Sequence, residues 1–219
     1  MLSLFGNKKI KAFGLDISDA SIKLMSLKPH EQSLIPEAFT NVPLPPKIIN
    51  NHLIASEQRL AESINYALSK AGKLDTKYVV ASLPEARSFV RLLNMAKMSD
   101  SEIEGAIPWE LEQDIPMPVD QVYLDWEVVS KSDDKLAVLV AATQKDYVDS
   151  LIDTLKLARL KPVALELESQ AVARCLIRRQ DAAETVLILD IASVQTSFIK
   201  ALRETSQYRP RKRKSSKKT

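Results

Sequence analysis

Glycine is scarce in this chain: there are four among 219 residues. None is spaced as a Walker A loop or a G-x-G-x-x-G dinucleotide turn, so the common glycine-rich phosphate cradles are excluded. Cysteine occurs once, at Cys175, so no intrachain disulfide is possible. Its place in an apolar helical pattern reads as core packing rather than a reactive thiol. Histidine occurs twice, at His30 and His52, too isolated to suggest a zinc site. Long apolar runs are missing as well. The longest, residues 136–142, has the length of a buried strand, against the roughly 20 apolar residues that a spanning helix needs. The N-terminal apolar piece, LSLFG, is too short for a signal peptide. These absences together read as a cytoplasmic protein.

The charge is uneven. The formal net charge is +3, yet residues 209–219 (RPRKRKSSKKT) hold seven basic residues and no acidic one. Without them 24 basic face 28 acidic residues, a net charge of −4. The body is mildly acidic, and residues 201–219 read as a basic, disordered tail. Such a tail is either a solubilising extension or a contact for anionic lipid or nucleic acid.

Strand and helix patterns alternate along the chain, as in an α/β protein. Residues 12–17 and 22–27 read as two strands joined by the tight turn Ser18-Asp19-Ala20-Ser21. Pro36, Pro43, Pro45 and Pro46 make residues 34–49 read as an extended loop. The stripe Leu60, Ile64, Ala67 and Leu68 predicts a helix from about residue 55 to 70, stopped at Gly72. A strand follows at 77–83 and a short one at 89–93. Ser99 with Glu102 three residues on forms a capping box. The helix it opens is expected to reach Ile107, with Pro108 kinking or restarting it. Residues 121–129 and 136–142 read as a hairpin, with Trp126 or Tyr123 covering a helix. Further helices are expected at 145–160 and 169–179. Strands are expected at 162–168, 185–191 and 197–201.

Two of these segments echo each other. FGLDISDASIKLM at 13–25 and LILDIASVQTSFI at 187–199 each have a strand, an Asp, a tight turn and a returning strand. A strand that ends in Asp and turns tightly exposes backbone N–H groups that suit phosphate, while the carboxylate suits a hydrated Mg²⁺. Asp16 and Asp190 are then candidate metal-side carboxylates. Ser18, Ser21 and Ser193 are candidate hydroxyls, and Lys23 a candidate cation. The alternative is that both Asp residues only satisfy their own turns.

Residues 98–130 contain nine acidic residues and no basic one, with Trp109 and Trp126 among them. The segment reads either as a docking face for a basic partner, with Trp109, Glu110 and Glu112 at its centre, or as a solvated acidic helix.

Five stretches carry a family resemblance. They are GLDISDASIKLMSL (14–27), SLPEARSFVRLLNM (82–95), SDSEIEGAIPWELEQDIPMPVDQVYLDWEV (99–128), LAVLVAATQKDYVDSLIDTLKLARLKPVALELESQAVAR (136–174) and VLILDIASVQTSF (186–198). In order and spacing they resemble the PilM family of actin-like type IV pilus assembly proteins. The resemblance implies an actin-like (ribonuclease H-like) first lobe at 11–81 and 143–200, after a short extension at 1–10. It implies an inserted α+β subdomain at 82–142. It also implies ATP and Mg²⁺ between two lobes, and capture of the cytoplasmic N-terminal peptide of PilN, an inner-membrane protein. The implied role is a platform peripheral to the inner membrane, with at most weak ATPase activity. The family's Asp-Ile-Gly is here Asp16-Ile17-Ser18 and Asp190-Ile191-Ala192. Family members continue into a second lobe, so the chain reads as a shortened relative whose nucleotide contacts come from one side.

Overall fold

The computed structural model describes residues 2–3, 10–31, 33–112, 115, 117–177, 185–191 and 196–201. Its elements in order are β1 (Leu2–Ser3), β2 (Phe13–Ile17), β3 (Ser21–His30), β4 (Ser33–Pro43), β5 (Ile49–Asn50), β6 (Leu53–Ile54) and α1 (Glu57–Lys70). There follow β7 (Tyr78–Leu83), β8 (Ser88–Ala96), α2 (Asp100–Leu111), β9 (Val122–Lys131) and β10 (Lys135–Gln144). The last are α3 (Lys145–Leu157), β11 (Lys161–Leu167), α4 (Glu168–Leu176), β12 (Val186–Ile191) and β13 (Thr196–Ala201). The described residues fall into two units. One joins the chain up to Arg87 with Lys145–Leu167, and the other joins Ser88–Gln144 with Glu168 onward.

The first unit is a mixed α/β layer. Its six-stranded sheet has the order β1-β11-β7-β2-β3-β4. β2, β7 and β11 run parallel, while β3 and β4 continue as an antiparallel meander. Period-2 alternation buries Phe13, Leu15 and Ile17 of β2 and Ile22 and Leu24 of β3. α1 and α3 pack on each other and on these strands. α1 begins where the Ser56 side chain accepts a bond from the Arg59 N–H, and it buries Leu60, Ala61, Ile64 and Ala67. It stops at Gly72, whose φ of 89° only glycine adopts without strain. α3 buries Tyr147, Val148, Leu151 and Leu155.

The expected loop at 34–49 is instead largely strand, since β4 covers Ser33–Pro43. Two features make its prolines tolerable. β4 is the sheet edge, so only one side of it pairs. The ladder also shifts between Ser26/Ala38 and Leu27/Pro36, which leaves Glu37 as the extra residue of a bulge beside Pro36.

The second unit holds a three-stranded antiparallel sheet of order β8-β10-β9, with α2 packed on it. Its core combines Ile103, Ile107 and Leu111 of α2 with Leu93, Met95, Val122, Leu136, Val138 and Val140. Trp126 packs against that core, whereas Tyr123, one residue off the β9 alternation, is exposed. The capping box at Ser99 and Glu102 forms as expected. α2 then continues through Pro108 to Leu111 without a break. The proline removes one backbone donor, but buried Ile107 and Leu111 on either side hold the helix to its core. α4 buries no residue, and Cys175 is exposed rather than in the core. An amphipathic stripe predicts burial only where something packs on it. β12 and β13 pair from Val186↔Ala201 to Ile191↔Thr196.

α3 ends on a Schellman-type turn: the Leu160 N–H reaches the Leu155 carbonyl at 2.9 Å, and Arg159 carries φ 61°. A side chain in the left-handed region costs roughly 1 kcal/mol. Arg159→Gly is therefore expected to raise unfolding stability by about 0.5–1 kcal/mol. Urea denaturation checks this, and an unchanged or lowered midpoint contradicts it.

Candidate functional site

Burial of Phe13, Leu15 and Ile17 forces Asp16 onto the opposite face of β2, near the carboxyl ends of the parallel strands. Ligands of open α/β sheets characteristically bind at such strand ends. A polar row crosses the sheet at this level. Lys23 lies opposite Asp16, and Asn41 opposite Lys23. On the other side, the Ser82 Oγ donates to Asp16 Oδ1 at 2.7 Å, and Glu166 lies opposite Ser82. Lys23 Nζ donates to Asp16 Oδ2 at 3.0 Å. Both oxygens of Asp16 are thus engaged. Glu166 is only 4% exposed, an unusual position for a carboxylate.

The hydroxyls of the β2–β3 turn are occupied as well. Ser21 N–H donates to Ser18 Oγ at 3.1 Å, the two hydroxyls lie 3.2 Å apart, and Ser18 N–H donates to the Ser21 carbonyl at 2.9 Å. Ser18 is not among the residues of positive φ, so this turn does not need the family's glycine. Beside it, His52 Nδ1 is 3.3 Å from Asp19 Oδ1, and Arg87 Nη2 donates to the Asn51 carbonyl at 2.6 Å. Asn51 and His52, both of positive φ (50° and 59°), form the two-residue turn of the β5–β6 hairpin.

The strand ends therefore gather Asp16, Lys23, Ser82, Asp19, His52, Arg87 and Glu166 in one unit. Asp190 lies exposed on β12 of the other unit, opposite Ser197. Ser193 lies outside the described residues. Sequence reasoning missed Ser82 and Glu166. Each is a polar residue inside an otherwise apolar strand, and that was their only sequence-level mark. Lys23 keeps further N–H donors suited to a phosphate oxygen, whereas Ser82 spends its one hydroxyl proton on Asp16. Asp16, bonded at both oxygens, fits a water-mediated Mg²⁺ contact better than a direct metal bond. Among the described residues no group of three metal-ligating side chains is assembled.

The second candidate feature is the outer face of α2. With Ile103, Ile107 and Leu111 turned inward, the 3.6-residue period turns Trp109 outward, and it is 76% exposed. Glu110 and Glu112 are exposed beside it. No basic residue stands in the last turn of α2. Two carboxylates therefore sit at the end where the helix dipole is negative, and a cation there relieves both. At the other end, hydrogen bonds from the Ser99 hydroxyl and then its backbone N–H hold the Glu102 carboxyl below its ordinary value. A depressed folded-state pKa gives stability that is present above the unfolded value of 4.5 and lost as pH falls through the folded one. Ser99→Ala should therefore flatten the acid dependence of unfolding below about pH 4.5. Thermal melts across that range test this, and an unchanged acid limb contradicts it.

The family model described as "Type IV pilus assembly protein PilM" matches residues 14–214. Among solved structures, a PilM–PilN type IV pilus biogenesis complex superposes with a TM-score of 0.80 at 28% sequence identity. The match covers 88% of this chain and 58% of that one, so this chain spans just under three fifths of its relative's length. The cytoplasmic domain of EpsL, an inner membrane component of the type II secretion system of Vibrio cholerae, shares the fold. Its TM-score is 0.54 at 15% identity, over 85% of this chain and 70% of its own. The chain belongs to the PilM family of type IV pilus assembly proteins.

Proposed function

We propose that this PilM-family chain is an adaptor of type IV pilus assembly that works at the cytoplasmic face of the inner membrane. It binds a short N-terminal peptide of a PilN-like membrane protein. The solved relative is a PilM–PilN complex, which supplies the partner class. The observation that carries the reading to particular residues is the exposed Trp109 beside Glu110 and Glu112. An exposed tryptophan is a typical interface anchor, and the two carboxylates select a partner carrying Lys or Arg. No helix among the described residues is long and apolar enough to cross a membrane.

A synthetic peptide of the partner's cytoplasmic N-terminus tests this by calorimetry. Charge reversal by Glu110→Lys with Glu112→Lys is expected to weaken binding by tenfold or more, about 1.4 kcal/mol. Unchanged affinity sinks the role of this face.

The Asp16 cluster favours a second, compatible reading, in which the chain binds ATP with Mg²⁺ as an actin-like first lobe with the inserted subdomain. Lys23 would meet phosphate oxygens, and Asp16, steadied by Ser82, would hold the metal through water. Asp16→Ala is expected to abolish Mg-dependent heat of ATP binding. A wild-type chain that gives no heat with ATP overturns the nucleotide reading and leaves the adaptor reading intact.

A further inference from the structure

One strongly charged surface of the first unit is used by neither reading. β7 and β11 run parallel and start together, with Lys161 opposite Tyr78. The Lys161 N–H donates to the Lys77 carbonyl at 2.8 Å. α1 leads into β7 and α3 into β11, and the two helices pack on each other. Both helices therefore end at the pole where these strands begin. Six basic residues gather there. Lys70, Lys73 and Lys77 come from the end of α1 and the approach to β7, and Lys156, Arg159 and Lys161 from the end of α3 and the start of β11. All six are exposed. We propose that this pole is a contact surface for the headgroups of an anionic phospholipid membrane.

The charge is the first support. Residues 66–78 and 153–161 hold these six basic residues against two acidic ones, Asp75 and Asp153, a net charge of +4. Residues 1–208 as a whole carry −4, so the pole is a local reversal of sign. Ordinary structural roles explain only part of it. Lys70 and Lys156 stand in the last turns of their helices, where a cation complements the dipole. Lys73 pairs with Asp75 at 3.6 Å and Lys156 with Asp153 at 2.8 Å. Among the described residues, no carboxylate pairs with Lys77, Arg159 or Lys161.

The second support is apolar. Tyr66 is 55% exposed one turn before Lys70, and Leu157 is 49% exposed at the end of α3. Lys70 Nζ lies 5.4 Å from the centroid of the Tyr66 ring. Such side chains settle at headgroup depth while neighbouring Lys and Arg heads stay with the phosphates. An exposed leucine among lysines gains from a lipid surface and little from a sugar–phosphate backbone, which favours membrane over nucleic acid. The third support is placement. The pole lies at the opposite end of β7 from Ser82, roughly 15 Å away, so lipid contact leaves the Asp16 cluster uncovered.

Each Lys or Arg close to an anionic leaflet strengthens binding roughly fivefold. A net charge of this size gives reversible attachment, with a second anchor needed for stable residence.

Sedimentation of the full chain with vesicles tests this, using phosphatidylcholine alone and with about 30% phosphatidylglycerol. Binding is expected only to the anionic vesicles at about 0.05 M salt, and is mostly lost at about 0.5 M. Lys73→Gln with Lys77→Gln and Lys161→Gln should weaken it about 100-fold. Leu157→Ser should weaken it with its salt dependence unchanged. Thermal melting at the wild-type temperature shows that the variants are folded. Without any variant, anionic vesicles should slow hydrogen exchange at residues 71–77 and 157–161. Absence of binding overturns the proposal. So does binding that survives the triple variant, which other basic residues such as 209–219 would then carry, and so does protection confined to other segments. A triple variant that loses affinity for duplex DNA but not for vesicles assigns the pole to nucleic acid and overturns it too. Neither the partner peptide nor ATP enters these measurements, so their outcome is separate from both readings above.

Discussion

The stripe of Ile103, Ile107 and Leu111 is the constraint on which the docking account depends. These three residues lie in the core of the second unit with Val138, Val140 and Leu93. Burying them fixes the rotation of α2, and that rotation leaves Trp109 nowhere to go but outward. The same packing carries the helix past Pro108 and keeps Glu110 and Glu112 on a formed last turn. Replacing any one of the three with Ala would cost on the order of 2–5 kcal/mol and would blur the face. The exposed face of α2 is thus a by-product of core packing: the tighter the stripe, the better defined the exposed side.

The Asp16 cluster follows the same logic in a strand. Alternation buries Phe13, Leu15 and Ile17, so the one carboxylate of β2 must face the other way. Its neighbours then depend on register. Ser82 meets it across the parallel β2–β7 pair, and Lys23 across the antiparallel β2–β3 pair. The turn that follows is closed by the Ser18 and Ser21 hydroxyls. Its hydroxyls are spent on each other rather than offered outward.

Much of this was legible in the sequence because it is local. The capping box at Ser99, the stripe of α1 with its stop at Gly72, and both Asp hairpins follow from neighbours within a few residues. Features set by distant pairing were not legible. β4 looked like a proline-rich loop because its edge position and the bulge at Glu37 are properties of the sheet. Ser82 and Glu166 join Asp16 only through the β11-β7-β2 order. Cys175 looked buried because its helix is amphipathic, yet no described residue of α4 is buried. Trp109 was read as a candidate anchor, and its exposure became a fact only once α2 had been packed on its sheet. The family itself was legible from five spaced segments, and the match over 14–214 bears that out.

The two candidate features answer different questions. One could hold a phosphate-bearing ligand, and the other a basic peptide. The central claim concerns the second, and hydrogen exchange tests it most directly. The chain is followed with and without the N-terminal cytoplasmic peptide of a PilN-like protein. Protection concentrated at residues 107–112 of α2 is the predicted result. Saturating peptide that leaves those amides unchanged, with protection confined to other elements, contradicts it.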